Sequence, residues 1–386
     1  RVPVWFIMAE KSTLRVCFIS PAMYPLFNPL TRALYSATEL ELFELVRYFG
    51  RNQAIDVNLI TGDFGQEEVE YCSGVLVFRA PRETPRSWMT RLFSAQGPLE
   101  KILARIDAPV YLAAGWGRPV VETARFCRRH RRAFLYRVTH QRECDGSFIQ
   151  GNGREGKQFR WLLHHADALV CQTEEQKQLL KHTENVDALV IPSAVPKEPS
   201  RDEFREEVLW IGEAVEWRQP ELFFRLALTL PNWTFTLLIN PRDPAYFENL
   251  ISKTRDIPNL GVENSVPYHE WPNYLRRAKL LVNTSRYEGF PFAFTLAFAH
   301  GIPVVSLNLD PDGILEKHQV GLCAQGSEVR LAQGVQDLLT YDRQWRRMSE
   351  NARHYAQKHQ NLEDIAQAYR RLFELLQVAK KHKGRR

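Results

Sequence analysis

The chain has 386 residues, enough for two domains of ordinary size, and its 25% charged, 11% aromatic and 44% hydrophobic residues describe a globular protein rather than a disordered one. Its six scattered cysteines (Cys17, Cys72, Cys127, Cys144, Cys171, Cys323) form no C-x-x-C pair, which argues for reduced thiols in a cytoplasmic setting and against a zinc site. The net charge of +6 gathers in Arg125, Arg128, Arg129, Arg131 and Arg132 and in a tail of Lys380, Lys381, Lys383, Arg385 and Arg386; no recognition-helix or aromatic-platform pattern accompanies it, so no nucleic acid is expected.

Met8 reads as the natural start; the seven residues before it are too short for a signal peptide. No apolar run approaches the ~20 residues that span a bilayer. A buried first strand is predicted over 14–20, then a loop holding Pro21, Pro25 and Pro29, then a helix over 36–49. Strands follow over 55–61 and 75–79. Residues 82–96 place Trp88, Met89, Leu92 and Phe93 among Arg82, Arg86 and Arg91. That segment suits an anionic membrane surface, a lipid acceptor, or packing against its own domain. Strands over 110–113, 133–138, 168–172 and 188–191 alternate with helices over 120–130, 156–165 and 174–182. The alternation predicts a parallel, doubly wound sheet. Residues 192–205, with Pro192, Pro196 and Pro199, read as a linker.

The pattern then restarts. Strands are predicted over 208–211, 233–239, 260–262, 279–282, 303–307 and 321–324. Helices are predicted over 244–253, 268–277, 292–300, 329–339, 343–358 and 362–379, with another opening at Pro220. The chain thus divides into 14–195, 196–360 and a closing helix with its basic tail over 361–386.

Within the second half, Asn283 to Leu307 has the most chemistry. A strand leads into Glu288-Gly289-Phe290-Pro291, then a nearly all-apolar helix ends before Gly301 and Pro303. Gly301 suits a left-handed C-cap and Pro303 forbids continuation. Ligands of open α/β sheets bind at such strand ends, where a helix N-terminus favours phosphate or sugar oxygens. An ordinary buried unit with a solvated Glu288 fits the pattern equally. As a loop carboxylate at a sheet edge, Glu288 is expected to have few packing duties.

Glu288-Gly289-Phe290-Pro291 and Gly301-Ile302-Pro303-Val304-Val305 resemble the donor-site signature of retaining GT-B glycosyltransferases, specifically glycosyltransferase family 4. The resemblance covers about 14–375. It implies two Rossmann-like domains facing across a cleft, with the closing helix crossing back to the first. It implies transfer of a sugar, as by a hexosyltransferase, from a nucleotide-sugar to a glycan or lipid-linked acceptor in cell-surface polysaccharide synthesis. The place implied is the cytoplasm or the inner face of a membrane.

By the same resemblance, Glu288 and His140 stand at the transferred sugar, His140 ending a strand that points into the cleft. Arg218 keeps a diphosphate-binding cation, whereas Glu213 reverses the charge of the family's arginine. The amides of Gly289, Phe290, Pro291 and Phe292 are expected at the sugar or phosphate. Leu296 replaces the glutamate that accepts from the ribose hydroxyls, with Thr295 and Glu213 the nearest alternative acceptors. Ser36 and Ala37 replace a Gly-Gly pair, and Asp145 lies on the acceptor side. No cofactor is implied. Nor is a metal: no Asp-x-Asp motif is read at the site, and positive groups with helix dipoles can take the ion's place. Glu213, Leu296 and Ser36-Ala37 also motivate an alternative, a catalytically inactive GT-B protein serving as a partner or regulatory subunit.

Overall fold

A computed structural model describes residues 14–31, 34–52, 55–80, 97–195 and 205–383. Met8, the aromatic–arginine segment 82–96, most of the predicted linker and Arg385–Arg386 lie outside them.

Among the described residues, eight strands make the first sheet: β1 (Arg15–Ile19), β2 (Asp56–Thr61), β3 (Val69–Cys72), β4 (Val75–Arg79), β5 (Val110–Ala114), β6 (Ala133–Arg137), β7 (Ala168–Cys171) and β8 (Leu189–Val190). Their order is β3-β4-β2-β1-β5-β6-β7-β8. The continuous apolar runs of β1, β5 and β6 are buried because helices cover both faces. One pairing departs from the expected parallel sheet: β3 runs antiparallel to β4. Ser73 and Gly74 turn this hairpin at φ of 50° and 88°, a left-handed pair suited to a two-residue turn.

The second sheet holds β9 (Glu207–Glu213), β10 (Thr234–Asn240), β11 (Leu260–Asn264), β12 (Ala278–Asn283), β13 (Val304–Ser306) and β14 (Gly321–Cys323), in the order β11-β10-β9-β12-β13-β14. All five of its pairings are parallel. The architecture is therefore the two Rossmann-like sheets that the resemblance implies. In each sheet the strand order reverses beside the first strand, β1 or β9, and that point opens a crevice at the carboxyl edge.

The closing helix, Leu362–Lys383, follows two helices of the second half, Glu328–Thr340 and Asp342–His359. Yet Ile365, Tyr369, Phe373 and Leu376 enter the core of the first sheet, beside Phe18 and Phe49. Part of the basic clusters is engaged within the fold. The Arg125 and Arg128 guanidinium groups lie over the Trp161 ring at 5.6 and 6.0 Å, Arg129 pairs with Glu100 at 2.9 Å, and Lys380 pairs with Asp167 at 2.7 Å. Among the described residues no helix is long and apolar enough to cross a membrane.

Candidate active site in the cleft

The loops after β9 and β12 leave the second sheet at its switch point and meet there. Trp210, at the centre of β9, donates from its indole nitrogen to the Thr284 hydroxyl at 2.9 Å. Thr284 in turn donates to the Arg218 carbonyl at 2.6 Å, which ties the two loops together. Gly212 is the only residue type that fits its place: a Cβ there would stand 2.6 Å from the Trp210 ring and 3.1 Å from the Arg218 stem. The result is an ion pair, Arg218 Nη1 to Glu288 Oε1, at 2.9 Å. Asn283 donates to the same carboxylate oxygen at 3.3 Å.

Glu288 is therefore not a solvated loop carboxylate. It is 8% exposed, and the expectation of few packing duties is corrected by its buried pair with Arg218. Arg218 Nε remains buried without a partner among the described residues. A buried, unpaired donor is costly, so a cation presented this way is ready for an anionic oxygen. Glu213 does not pair with Arg218; Arg242 takes it at 2.8 Å. The charge reversal at Glu213 is thus neutralised locally.

The apolar helix Phe292–Ala299 is buried on nearly every side because it lies between its own sheet and the Asp342–His359 helix. Gly301 ends it at φ 66°, as the left-handed C-cap requires, where a Cβ would collide with the Arg353 side chain. Leu296 is 5% exposed and shares an apolar cluster with Ile211, Leu238 and Phe292. A carboxylate introduced there would be buried without a partner. Thr295 faces away: its hydroxyl accepts from Gln360, so it is no substitute for the missing glutamate. Asn240, at the end of β10, is better placed. Its amide nitrogen is held by the Tyr35 carbonyl at 3.1 Å, while its Oδ1 is buried with no partner among the described residues.

Phe290, Pro291 and Phe292 all belong to the buried loop, but their amides are not equally free. Phe290 N–H donates to Gln172 Oε1 at 3.1 Å, and Pro291 has no N–H. This corrects the expectation that the whole run faces a ligand; Gly289 and Phe292 are left. Gly289 itself touches the first domain. A Cβ there would lie 2.3 Å from the Thr139 carbonyl oxygen.

Across the cleft, His140 follows β6 and begins a short turn. Its Nδ1 accepts from the Arg142 amide at 3.2 Å, so the neutral ring carries its proton on Nε2. Glu143 accepts from the amides of Thr139 and His140 at 2.9 and 3.3 Å and from the Tyr136 hydroxyl at 2.7 Å. Burial pulls the His140 pKa below its ordinary value, against the opposing pull of Glu288. The Tyr287 ring stands 5.8 Å from His140 and stacks on Trp217 at 6.1 Å.

Ser36 and Ala37 open the helix Ala37–Asn52. Ser36 and Glu39 form a capping box: the Ser36 amide donates to Glu39 at 2.8 Å and the Thr38 amide donates to the Ser36 hydroxyl at 3.2 Å. Their first duty is to start a helix, and both still line the cleft. Asp145 is exposed and caps the Ser147 amide at 2.8 Å.

Two cavities meet at Glu288. The larger, about 1080 Å³, reaches from Arg218, Glu213, Asn240 and Leu296 to Ser36 and Ala37. The smaller, about 530 Å³, is polar and holds Arg142, Asp145, Arg286, Tyr287 and Asp310. An Asp-x-Asp sequence therefore does border the site, at Asp310-Pro311-Asp312. Its carboxylates are occupied by backbone amides: Asp310 takes that of Leu315 at 2.7 Å, and Asp312 takes those of Glu174 and Glu175 at 2.9 and 2.8 Å.

Sequence reasoning missed Gln172, Asn240, Asn283 and Glu143. Glu143 had a signal, the His-x-x-Glu spacing of a capping box. Gln172 and Asn240 each stand at the carboxyl end of a strand, where any polar residue could have been singled out.

Residues 193–355 match the family model described as glycosyl transferases group 1. No curated protein sequence matches the chain. Among solved structures, sucrose-phosphate synthase from Thermosynechococcus elongatus is similar with a TM-score of 0.73 at 15% identity, over 95% of this chain and 100% of that one. Anabaena HepE, in complex with UDP and glucose, is similar with a TM-score of 0.70 at 13% identity, over 94% and 99%. WaaG, a glycosyltransferase involved in lipopolysaccharide biosynthesis, is similar with a TM-score of 0.63 at 12% identity, over 92% and 98%. The fold of this chain is the GT-B fold.

Proposed function

We propose that the protein transfers a sugar from a nucleoside-diphosphate sugar to a glycan or lipid-linked acceptor, with retention at the anomeric carbon and without a metal ion. The observation that carries this reading is the Arg218–Glu288 pair, set where the two cavities join and inside the segment that matches glycosyl transferases group 1. The larger cavity is of a size to take the donor. Arg218 would meet the diphosphate, where negative charge grows as the bond to the anomeric carbon breaks. Glu288 would accept from hydroxyls of the transferred sugar. His140, neutral and protonated on Nε2, would donate to it from the opposite wall. The acceptor hydroxyl would attack from the face the diphosphate leaves. A new carbon–oxygen bond forms, and the hydroxyl proton passes to the departing phosphate oxygen.

A non-catalytic GT-B protein is the second reading, favoured by Leu296, whose apolar surroundings remove the ribose acceptor. Titration calorimetry with UDP-, GDP- and ADP-sugars separates the two, followed by detection of released nucleoside diphosphate with an added acceptor. Binding of one donor with slow hydrolysis or transfer supports the enzyme. Absence of binding across the whole set would leave the non-catalytic protein standing.

A further inference from the structure

The turn after β7 holds the second domain at two points. Gln172 grips the Glu288 loop through both backbone groups of one residue: its Oε1 accepts from Phe290 N–H at 3.1 Å, and its Nε2 donates to the Phe290 carbonyl at 3.5 Å. A few residues on, Asp312 of the second domain accepts from the amides of Glu174 and Glu175, at the open end of the helix Glu174–Glu184. Those amides have no partner inside the helix, and a carboxylate suits them.

The Gln172 side chain is itself immobilised. Its Nε2 lies 2.9 Å from Glu41 Oε1 and 3.0 Å from Ser193 Oγ, and Gln176 caps its backbone amide at 2.7 Å. Glu41 is fixed by Arg137 at 3.0 Å, and Arg137 by the Ile191 carbonyl at 3.1 Å and the Tyr369 hydroxyl at 2.5 Å. The network reaches the Glu288 loop from the helix Ala37–Asn52, from β6, from the segment leaving the first sheet and from the closing helix. All its members are buried, so each bond is made in a dry environment and has one geometry. Gly289, between Glu288 and Phe290, is pressed against the Thr139 carbonyl, the residue before His140.

We infer that Gln172 and Asp312 are positioning residues. They clamp the two domains where β7 passes into the helix Glu174–Glu184 and so hold Glu288 opposite His140. This rests on the transferase reading only for the catalytic consequence; the clamp stands on geometry alone. Gln172 suits the task because one side chain offers both a donor and an acceptor. Glutamate there would face Glu41 without a donor, and asparagine would fall one methylene short.

The test measures hydrogen exchange at the Phe290, Glu174 and Glu175 amides, together with donor Kd and kcat, for the wild type, Gln172→Ala, Asp312→Ala and Asp312→Asn. Gln172→Ala should speed exchange at Phe290 by about tenfold or more. It should lower kcat by about tenfold, with donor Kd changed less than about threefold, because binding groups remain while their alignment is lost. Asp312→Ala should release the Glu174 and Glu175 amides and lower kcat in the same direction, and Asp312→Asn should recover part of both. Asp312 is outside the buried network, so this arm survives if Gln172→Ala fails to fold. Unchanged exchange at Phe290 in folded Gln172→Ala would overturn the clamp. Faster exchange with unchanged kcat would overturn the positioning role. If the wild type transfers no sugar, the exchange results still decide the clamp, and only the transferase reading falls.

Discussion

The two walls of the cleft are built to different rules. The second domain's edge carries charge next to unmade bonds: Arg218 pairs with Glu288, while Arg218 Nε and Asn240 Oδ1 are buried without partners among the described residues. The first domain's edge is mostly paired, although Ser147 Oγ beside the smaller cavity is buried without a partner among the described residues. Ser36 and Glu39 cap one helix, His140 and Glu143 cap another turn, and Glu41, Arg137, Gln172 and Ser193 satisfy one another. An incomplete polar set is what a ligand completes; a complete one is what holds geometry. The contrast implies that damage to the first wall is read as lost stability and damage to the second as lost binding.

The largest expected effect tests the first wall. Arg137→Ala leaves Glu41 buried without its cation, and should cost about 3–5 kcal/mol in urea unfolding. A much smaller loss would mean that water reaches Glu41 and that the wall is not dry.

Acid probes the second domain beneath its edge. Burial, with Arg205, Arg276 and Arg353 nearby, pushes the His300 pKa down to about 4. The folded state therefore favours the neutral ring. Its contribution is complete above the unfolded value near 6.5 and is lost as pH falls toward about 4, some ~3 kcal/mol in total. His300→Gln should flatten the acid limb of stability against pH over that window. An unchanged limb would place the acid sensitivity elsewhere.

Glu288 separates binding from folding. Glu288→Gln should keep the Asn283 contact and lose transfer by about 10²-fold, with a small change in melting temperature. Glu288→Ala should lower the melting temperature as well, since it strands Arg218. Melting temperatures of both variants equal to that of the wild type would show that the pair adds nothing to the fold. The smallest effect concerns Leu296. With no acceptor there, a protein that acts as the proposed transferase should discriminate against the 2′-deoxy form of its donor by less than ~1 kcal/mol in kcat/KM. Stronger discrimination that disappears in Asn240→Ala would identify Asn240 Oδ1 as the replacement.

Much of the fold was legible because it rests on local periodicity. Continuous apolar runs, separated by amphipathic stretches, marked most strands of both sheets. Gly301 and Pro303 announced the end of the site helix, and the structure has Gly301 at φ 66°. β3 was not legible, since a four-residue edge strand shows little periodicity and Ser73-Gly74 is a weak turn signal. At the site, Glu288 and His140 were visible near strand ends, and Arg218 through the family resemblance alone. Their partners were not.

The sequence by itself determined the two alternating halves, the polar loops at their carboxyl edges and the identity of the groups available there. Tertiary structure alone decided which groups meet. Arg218 and Glu288 are seventy residues apart and pair because β9 and β12 are neighbours at a switch point. Glu41, Arg137, Gln172 and Tyr369 come together from four separate elements. Charge, hydrogen bonding and burial act through space, over a few ångströms, and only the folded chain sets those distances.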